Sequence, residues 1–241
     1  MKVAAYQAPL LEPGSNDAFD SIREAVKACE AQHIDILCCP EAILGGLADY
    51  VADPRAHAFD TSGDALTRAL APLASDSVTT IVGFSEIAAD DILYNAAAVL
   101  HRGKVVGVYR KRHPAINRSV YAAGHDIPVF TIGDLTFGIL ICNDSNYPDA
   151  ARVLSARGAA ALFIPTNNGL PPEKTYAALV DDTRRVDAAL ARDHRIWVIR
   201  ADVAGCAAGL VSDGSSGIVS PDGRLVASAR HRTEDLLIAE L

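Results

Sequence analysis

The chain has 241 residues, of which 50% are hydrophobic and 22% charged, and it carries a formal net charge of −8. That length and apolar content suffice for a sizeable core and predict a single domain, 1–241, of the size α/β architectures fill. The acid excess argues against nucleic acid or an anionic membrane as partner, because either is met by a basic face.

Val3 to Tyr6 reads as a first strand and Pro9 to Gly14 as the loop leaving it. No basic segment followed by an apolar one opens the chain, and no apolar run reaches the roughly 20 residues of a membrane span. The five cysteines are an odd number without framework spacing, which fits a reducing compartment and predicts a cytoplasmic protein. Asn16 to Gln32 reads as an amphipathic helix, since Phe19, Ile22, Val26 and Cys29 recur at helical spacing. Ile34 to Cys39 is a near-continuous apolar run, the pattern of a strand buried on both faces. Pro40 ends that run, and Glu41 follows it.

A helical Ala/Leu pattern leads from Ser62 to about Leu73, followed by strands at Val78 to Phe84, Leu93 to Leu100 and Lys104 to Tyr109. The last two flank Arg102-Gly103 and predict a hairpin. Pro128 to Ile132 and Leu135 to Cys142 form another pair about Gly133-Asp134. A helix from Pro148 to Arg157, a strand from Ala160 to Ile164, a helix from about Glu173 to His194 and a strand from Ile196 to Ala201 follow. Gly217 to Ser220 and Leu225 to Ser228 close the pattern across Pro221-Asp222-Gly223. Strand–helix units mixed with hairpins predict sheets carrying helices on their outer faces. A doubly wound sheet is the alternative, and the hairpins count against it.

Three reactive or ionisable side chains stand just past apolar runs: Glu41, Lys111 and Cys142. Strand ends are where a side chain can leave the core while its backbone stays fixed. A cysteine attacks as thiolate and needs a base, a cation or a helix N-terminus beside it. A buried glutamate is a plausible proton acceptor, and a buried ammonium can stabilise an oxyanion. Each residue also has a plainer reading: a small core hydrophobe for Cys142, a loop-end acid for Glu41, a solvated basic edge for Lys111. Cys38 and Cys39 fall in a buried strand pattern, Cys29 on a helix core face, and Cys206 in a loop. His33 with Cys38-Cys39 lacks tetrahedral zinc-ligand spacing. No phosphate-binding glycine loop is present; Gly205 to Gly217 lacks the strand-to-helix setting one requires.

Taken in order, these segments resemble the nitrilase, or carbon–nitrogen hydrolase, superfamily over nearly the whole chain. Val3 to Gln7 resembles its first strand, and Cys39-Pro40-Glu41 with Gly45-Gly46 its Pro-Glu motif. Gly83-Phe84-Ser85-Glu86, Tyr94-Asn95 and Gly103-Lys104 resemble the approach to Tyr109-Arg110-Lys111 and His113. Phe137-Gly138 through Cys142, with Asp144 and Tyr147-Pro148-Asp149, resembles the nucleophile segment. Pro165-Thr166-Asn167, Gly205, Ser215-Ser216 and Pro221-Asp222-Gly223 resemble the later motifs.

The resemblance implies a four-layer α-β-β-α sandwich that assembles as a homodimer or larger homo-oligomer. It implies a triad of Glu41 as base, Lys111 as oxyanion partner and Cys142 as nucleophile, with the Asn143 backbone N–H completing the oxyanion site. It implies no metal and no organic cofactor. The sequence departs from the family in having no acid between Arg112 and Gly124, where Asn117 is the nearest polar residue. Asn143 and Asn146 stand where many relatives have an aromatic residue and an arginine. The chain reaches Leu241 shortly after the last predicted strand, so a long tail across a dimer is not expected. The substrate expected is a small linear amide or N-carbamoyl compound. Tyr50, Asn117, Tyr121, Asn146, Tyr147, Asn167 and Asn168 are candidates for the substrate lining. A true nitrilase, or a silent member acting as a binding or assembly subunit, are the alternatives.

Overall fold

The computed structural model describes residues 1–88, 91–116, 119–175 and 178–241. The elements run β1 (Lys2–Pro9), α1 (Asp17–Ala31), β2 (Ile36–Cys38), β3 (Phe59–Asp60), α2 (Ala65–Leu70), β4 (Thr79–Ile87), β5 (Leu93–His101) and β6 (Lys104–Arg110). They continue with β7 (Val129–Ile132), β8 (Leu135–Ile139), α3 (Pro148–Ala156), β9 (Ala161–Pro165), α4 (Leu179–His194) and β10 (Trp197–Ala201). The chain then forms β11 (Val203–Ala207), β12 (Leu210–Ser212), β13 (Gly217–Val219), β14 (Leu225–Ser228) and β15 (Asp235–Glu240).

A nine-stranded sheet orders β12-β11-β1-β2-β4-β5-β6, with β15 on β1 and β3 on β4; a six-stranded sheet orders β14-β13-β10-β9-β8-β7. Apolar positions explain how they stack. Ile22, Val26 and Cys29 of α1 and Leu66 and Leu70 of α2 pack on one face of the large sheet, against Ala4, Leu37, Val82 and Ala98. The opposite face, with Val3, Ala5, Ile36, Ile81 and Val99, meets Phe137, Ile139, Phe163 and Ile199 of the small sheet. Leu162, Ile164 and Val198 face outward from that sheet and bury Ala151 and Leu154 of α3 and Leu190 of α4. Alternation along each strand therefore feeds two faces at once, which is why the central strands read as unbroken apolar runs. The result is the α-β-β-α sandwich expected from the sequence. Among the described residues no helix is long and apolar enough to cross a membrane.

Three sequence expectations need correction. The helix expected from about Glu173 starts at Leu179, and among the described residues before it a single turn forms at Pro172–Lys174. The strand expected to reach Cys142 stops at Ile139. Beyond the expected closing pair, the chain adds β11–β12 and β15, and β15 runs antiparallel along β1 from Lys2↔Glu240 to Gln7↔Asp235. The turn of the β5–β6 hairpin is as expected: Arg102 and Gly103 both have positive φ (48° and 71°), matching the twist of the flanking strands.

The core thiols make a prediction. Cys29, Cys38 and Cys39 are fully buried, and burial pushes Cys29 up to about 12 and raises the other two as well. An unfolded thiol titrates near ~8.5. The folded chain thus keeps protons that the unfolded chain releases, so this stability is complete below that value and is lost as pH rises. Each thiol contributes a slope of up to about 1.4 kcal/mol per pH unit above roughly pH 9. The urea midpoint is expected to fall across that range, less steeply in Cys29→Val; a midpoint independent of pH there would contradict the burial argument.

Candidate active site

Glu41 leaves the large sheet just past β2. Its N–H donates to the Thr166 carbonyl at 3.2 Å, and Ala42 turns the chain with φ of 45°. Gly83 on β4 makes room for this turn: a Cβ there would lie 2.3 Å from the Pro40 oxygen and 2.8 Å from the Glu41 Cα. No side chain fits so close an approach. Lys111 leaves the same sheet at the end of β6, its N–H donating to the Asn95 carbonyl at 2.8 Å. The Lys111 ammonium donates to Glu41 Oε1 at 2.6 Å, and Asn95 Nδ2 donates to the same oxygen at 2.7 Å. Glu41 Oε2 accepts from the Asn167 backbone N–H at 3.0 Å. Acid and ammonium are 1% and 4% exposed, so both charges are paired away from bulk water.

Cys142 comes from the other sheet, in the turn after β8, with a φ of 45° that non-glycine residues seldom adopt. Two side chains hold that turn. Asp144 accepts from the Tyr109 hydroxyl at 2.7 Å, the Ile141 N–H at 3.1 Å and the His113 N–H at 2.8 Å. It thereby ties the cysteine turn to the segment that follows Lys111. Ser145 Oγ donates to the Cys142 carbonyl at 2.7 Å.

Glu41, Lys111 and Cys142 line one cavity of about 260 Å³. The thiol of Cys142 is pushed up to about 12, first by burial and then by the Glu41 carboxylate, against the pull of Lys111 and Arg200. It rests protonated near neutral pH. Burial alone draws the Lys111 ammonium down, but the Glu41 carboxylate and the Cys142 sulphur outweigh it and hold its value above the ordinary lysine range. Burial is also the main cause raising Asp144, opposed by the hydrogen bond from Tyr109. A protonated thiol beside a carboxylate and a fixed ammonium suits a reaction in which the proton leaves as sulphur attacks. Among the described residues no cluster of histidine, cysteine and acidic side chains could hold a metal.

Of the residues expected in the lining, Tyr50, Tyr121, Asn146, Asn167 and Asn168 face this cavity, as does Asn143, expected to supply an oxyanion N–H. Tyr121 is fastened there, donating or accepting with Ser85 Oγ at 2.6 Å and accepting the Ala48 N–H at 2.7 Å. Tyr147 does not line it: the residue is 43% exposed and its ring stacks on His113 with centroids 3.9 Å apart. Its position N-terminal to α3 turns it outward from the cysteine turn. Asn117 lies outside the described residues. Sequence reasoning missed Asn95, Asp49 and Arg200, which also line the cavity. For Asn95 and Arg200 a signal existed, because each is a polar residue inside an otherwise apolar strand pattern, where it needs a partner.

Comparison with known proteins agrees with this geometry. A profile of the carbon-nitrogen hydrolase family matches residues 2–241. The "Hydrolase in pqqF 5'region" of Pseudomonas protegens is 30% identical over 234 residues, covering 95% of this chain and 79% of the relative. A nitrilase of Pyrococcus abyssi is 28% identical over 250 residues, covering 100% of this chain and 89% of the relative. The crystal structure of an amidase from Nesterenkonia sp. superposes with a TM-score of 0.85 at 22% identity, covering 100% of this chain and 90% of that one. This chain belongs to the carbon-nitrogen hydrolase family and is a hydrolase of carbon–nitrogen bonds other than peptide bonds.

Proposed function

We propose that the chain hydrolyses a small linear amide or N-carbamoyl compound through a thioester on Cys142. The observation that carries this reading is the sealed Glu41–Lys111 pair opening onto the same cavity as the Cys142 thiol. Glu41 takes the thiol proton as sulphur bonds to the carbonyl carbon. The oxyanion that forms is met by the Lys111 ammonium and the Asn143 backbone N–H. When the C–N bond breaks, Glu41 returns the proton to the leaving nitrogen, which departs as ammonia or an amine. Water then attacks the thioester, Glu41 accepts its proton, and the acid leaves as the thiol is restored.

The cavity supports a small substrate, lying just below the usual range of ligand-pocket volumes. Its lining supports a neutral or cationic acyl chain. The two cationic side chains among the described lining, Lys111 and Arg200, are each bonded to a buried carboxylate. Asp49 brings a carboxylate to the same wall; among the described residues it accepts from Ser119 Oγ at 3.0 Å and the Val120 N–H at 2.9 Å.

The test is ammonia release from a panel of short amides, N-carbamoyl amines, N-carbamoyl amino acids and nitriles. Amides or carbamoyl amines are expected to turn over, and their carboxylate-bearing counterparts to turn over less. Turnover of nitriles alone would establish the second reading, favoured by the named nitrilase relative that spans the whole chain. No release from any member of the panel would oppose both and point to a silent subunit.

A further inference from the structure

Arg200 sits in the middle of an apolar strand, β10, and is 2% exposed. Desolvating a guanidinium is expensive unless it is paired and fully hydrogen-bonded, so its partners say what it is kept for. Asp187 of α4 takes a two-pronged contact, with Arg200 Nε donating to Oδ2 at 2.8 Å and Nη2 to Oδ1 at 2.5 Å. That carboxylate balances the charge and fixes the plane of the fork. The remaining contacts run to the site. Nη2 donates to Ser145 Oγ at 3.0 Å, and Nη1 donates to Thr166 Oγ1 at 2.7 Å.

Each of those hydroxyls belongs to the backbone that presents a reacting group. With its acceptor side occupied by Arg200, Ser145 Oγ directs its proton to the Cys142 carbonyl at 2.7 Å. The Thr166 carbonyl accepts the Glu41 N–H, and the next residue, Asn167, donates its N–H to Glu41 Oε2. The contact with Ser145 has a geometric consequence. The carbonyl of Cys142 and the N–H of Asn143 belong to one trans peptide and point to opposite sides of it. Whatever holds that carbonyl aims that N–H. Cys142 has a strained φ of 45°, so the peptide needs to be held.

We propose that Arg200 is a positioning residue that acts through the Ser145 hydroxyl to lock the Cys142–Asn143 peptide and so aim the Asn143 N–H at the oxyanion. The inference rests on the hydrolase reading above and adds to it a buried cation outside the Glu41, Lys111 and Cys142 set. The positive charge has a second effect in the same direction, since it lowers the Cys142 thiol against the rise caused by burial.

The test compares Ser145→Ala, Arg200→Lys and the double variant, using the amide turned over best by the wild type. Arg200→Lys keeps a charge beside Asp187 but cannot reproduce the planar fork. Each single variant is expected to lower kcat by about 10- to 100-fold, with KM changed by no more than about twofold. The double variant is expected to lose no more than the more impaired single, because both act along one path. Alkylation of Cys142 by iodoacetamide forms a C–S bond and expels iodide without an oxyanion. Its rate in Ser145→Ala is expected to stay within about threefold of wild type.

An unchanged kcat in Ser145→Ala, losses that multiply in the double variant, or alkylation falling in step with kcat would each overturn the proposal. If Arg200→Lys unfolds, the split between kcat and alkylation in Ser145→Ala decides alone. Failure of the hydrolase reading is separate and shows as a wild-type protein that turns over nothing.

Discussion

Cys142→Ala is expected to reduce amide turnover by about 10⁴- to 10⁶-fold while leaving the urea midpoint close to that of the wild type. The nearest hydroxyl in the cysteine turn does not substitute for the thiol, because Ser145 Oγ is committed to the Cys142 carbonyl and to Arg200. Alanine keeps the Cβ, and the turn is held by Asp144 and Ser145 rather than by the thiol, so the change in stability is expected to stay within about 1 kcal/mol. Ammonia release together with a urea titration checks both halves. Activity retained in a folded Cys142→Ala protein would sink the thioester mechanism.

The second large effect is expected from Lys111→Met, for two reasons that compound. The variant removes the ammonium that meets the oxyanion, a loss of about 10²- to 10³-fold in kcat when one such donor goes. It also strands the Glu41 carboxylate, 1% exposed, without its counter-charge. Breaking a buried pair from one side destabilises by about 3–5 kcal/mol. The Cys142 thiol is expected to rise further, since Lys111 is one of the two cations that pull it down. Arg112→Met makes the control. Arg112 Nη1 reaches Asp149 at 2.8 Å on a half-exposed surface, where such a pair contributes less than about 1 kcal/mol. Kinetics and urea midpoints of the two variants side by side test the assignment. Equal losses would mean that the buried lysine has no special part in the reaction.

These expectations depend on two sheets meeting. Glu41 and Lys111 come from ends of the large sheet and Cys142 from an end of the small one. Asp144 and Thr166 are the joints: Asp144 binds the cysteine turn to Tyr109 and His113, and the Thr166 carbonyl receives the Glu41 N–H. A shift of either sheet therefore moves the thiol relative to its base.

The sequence by itself placed Glu41, Lys111 and Cys142 just past strand-like apolar runs; for Glu41 and Cys142 the run is near-continuous because the strand is buried on both faces. It also placed the hairpin at Arg102-Gly103, where both residues take the positive φ such a turn requires. Only the tertiary structure decided the rest. The segments 203–212 and 235–240 become strands because β1 offers unpaired backbone groups: β15 pairs with Lys2 to Gln7, β11 with Ala8 and Pro9, and β12 folds back on β11. Tyr147 adjoins the cysteine turn in sequence yet faces away, since the start of α3 sets its direction. Arg200 looked like a charge interrupting a core strand, and its purpose emerges only where Asp187, Ser145 and Thr166 converge on it from three other elements. Periodicity reports which face of its own element a residue occupies. Which residues from different elements come to share a hydrogen bond is set by how the layers pack.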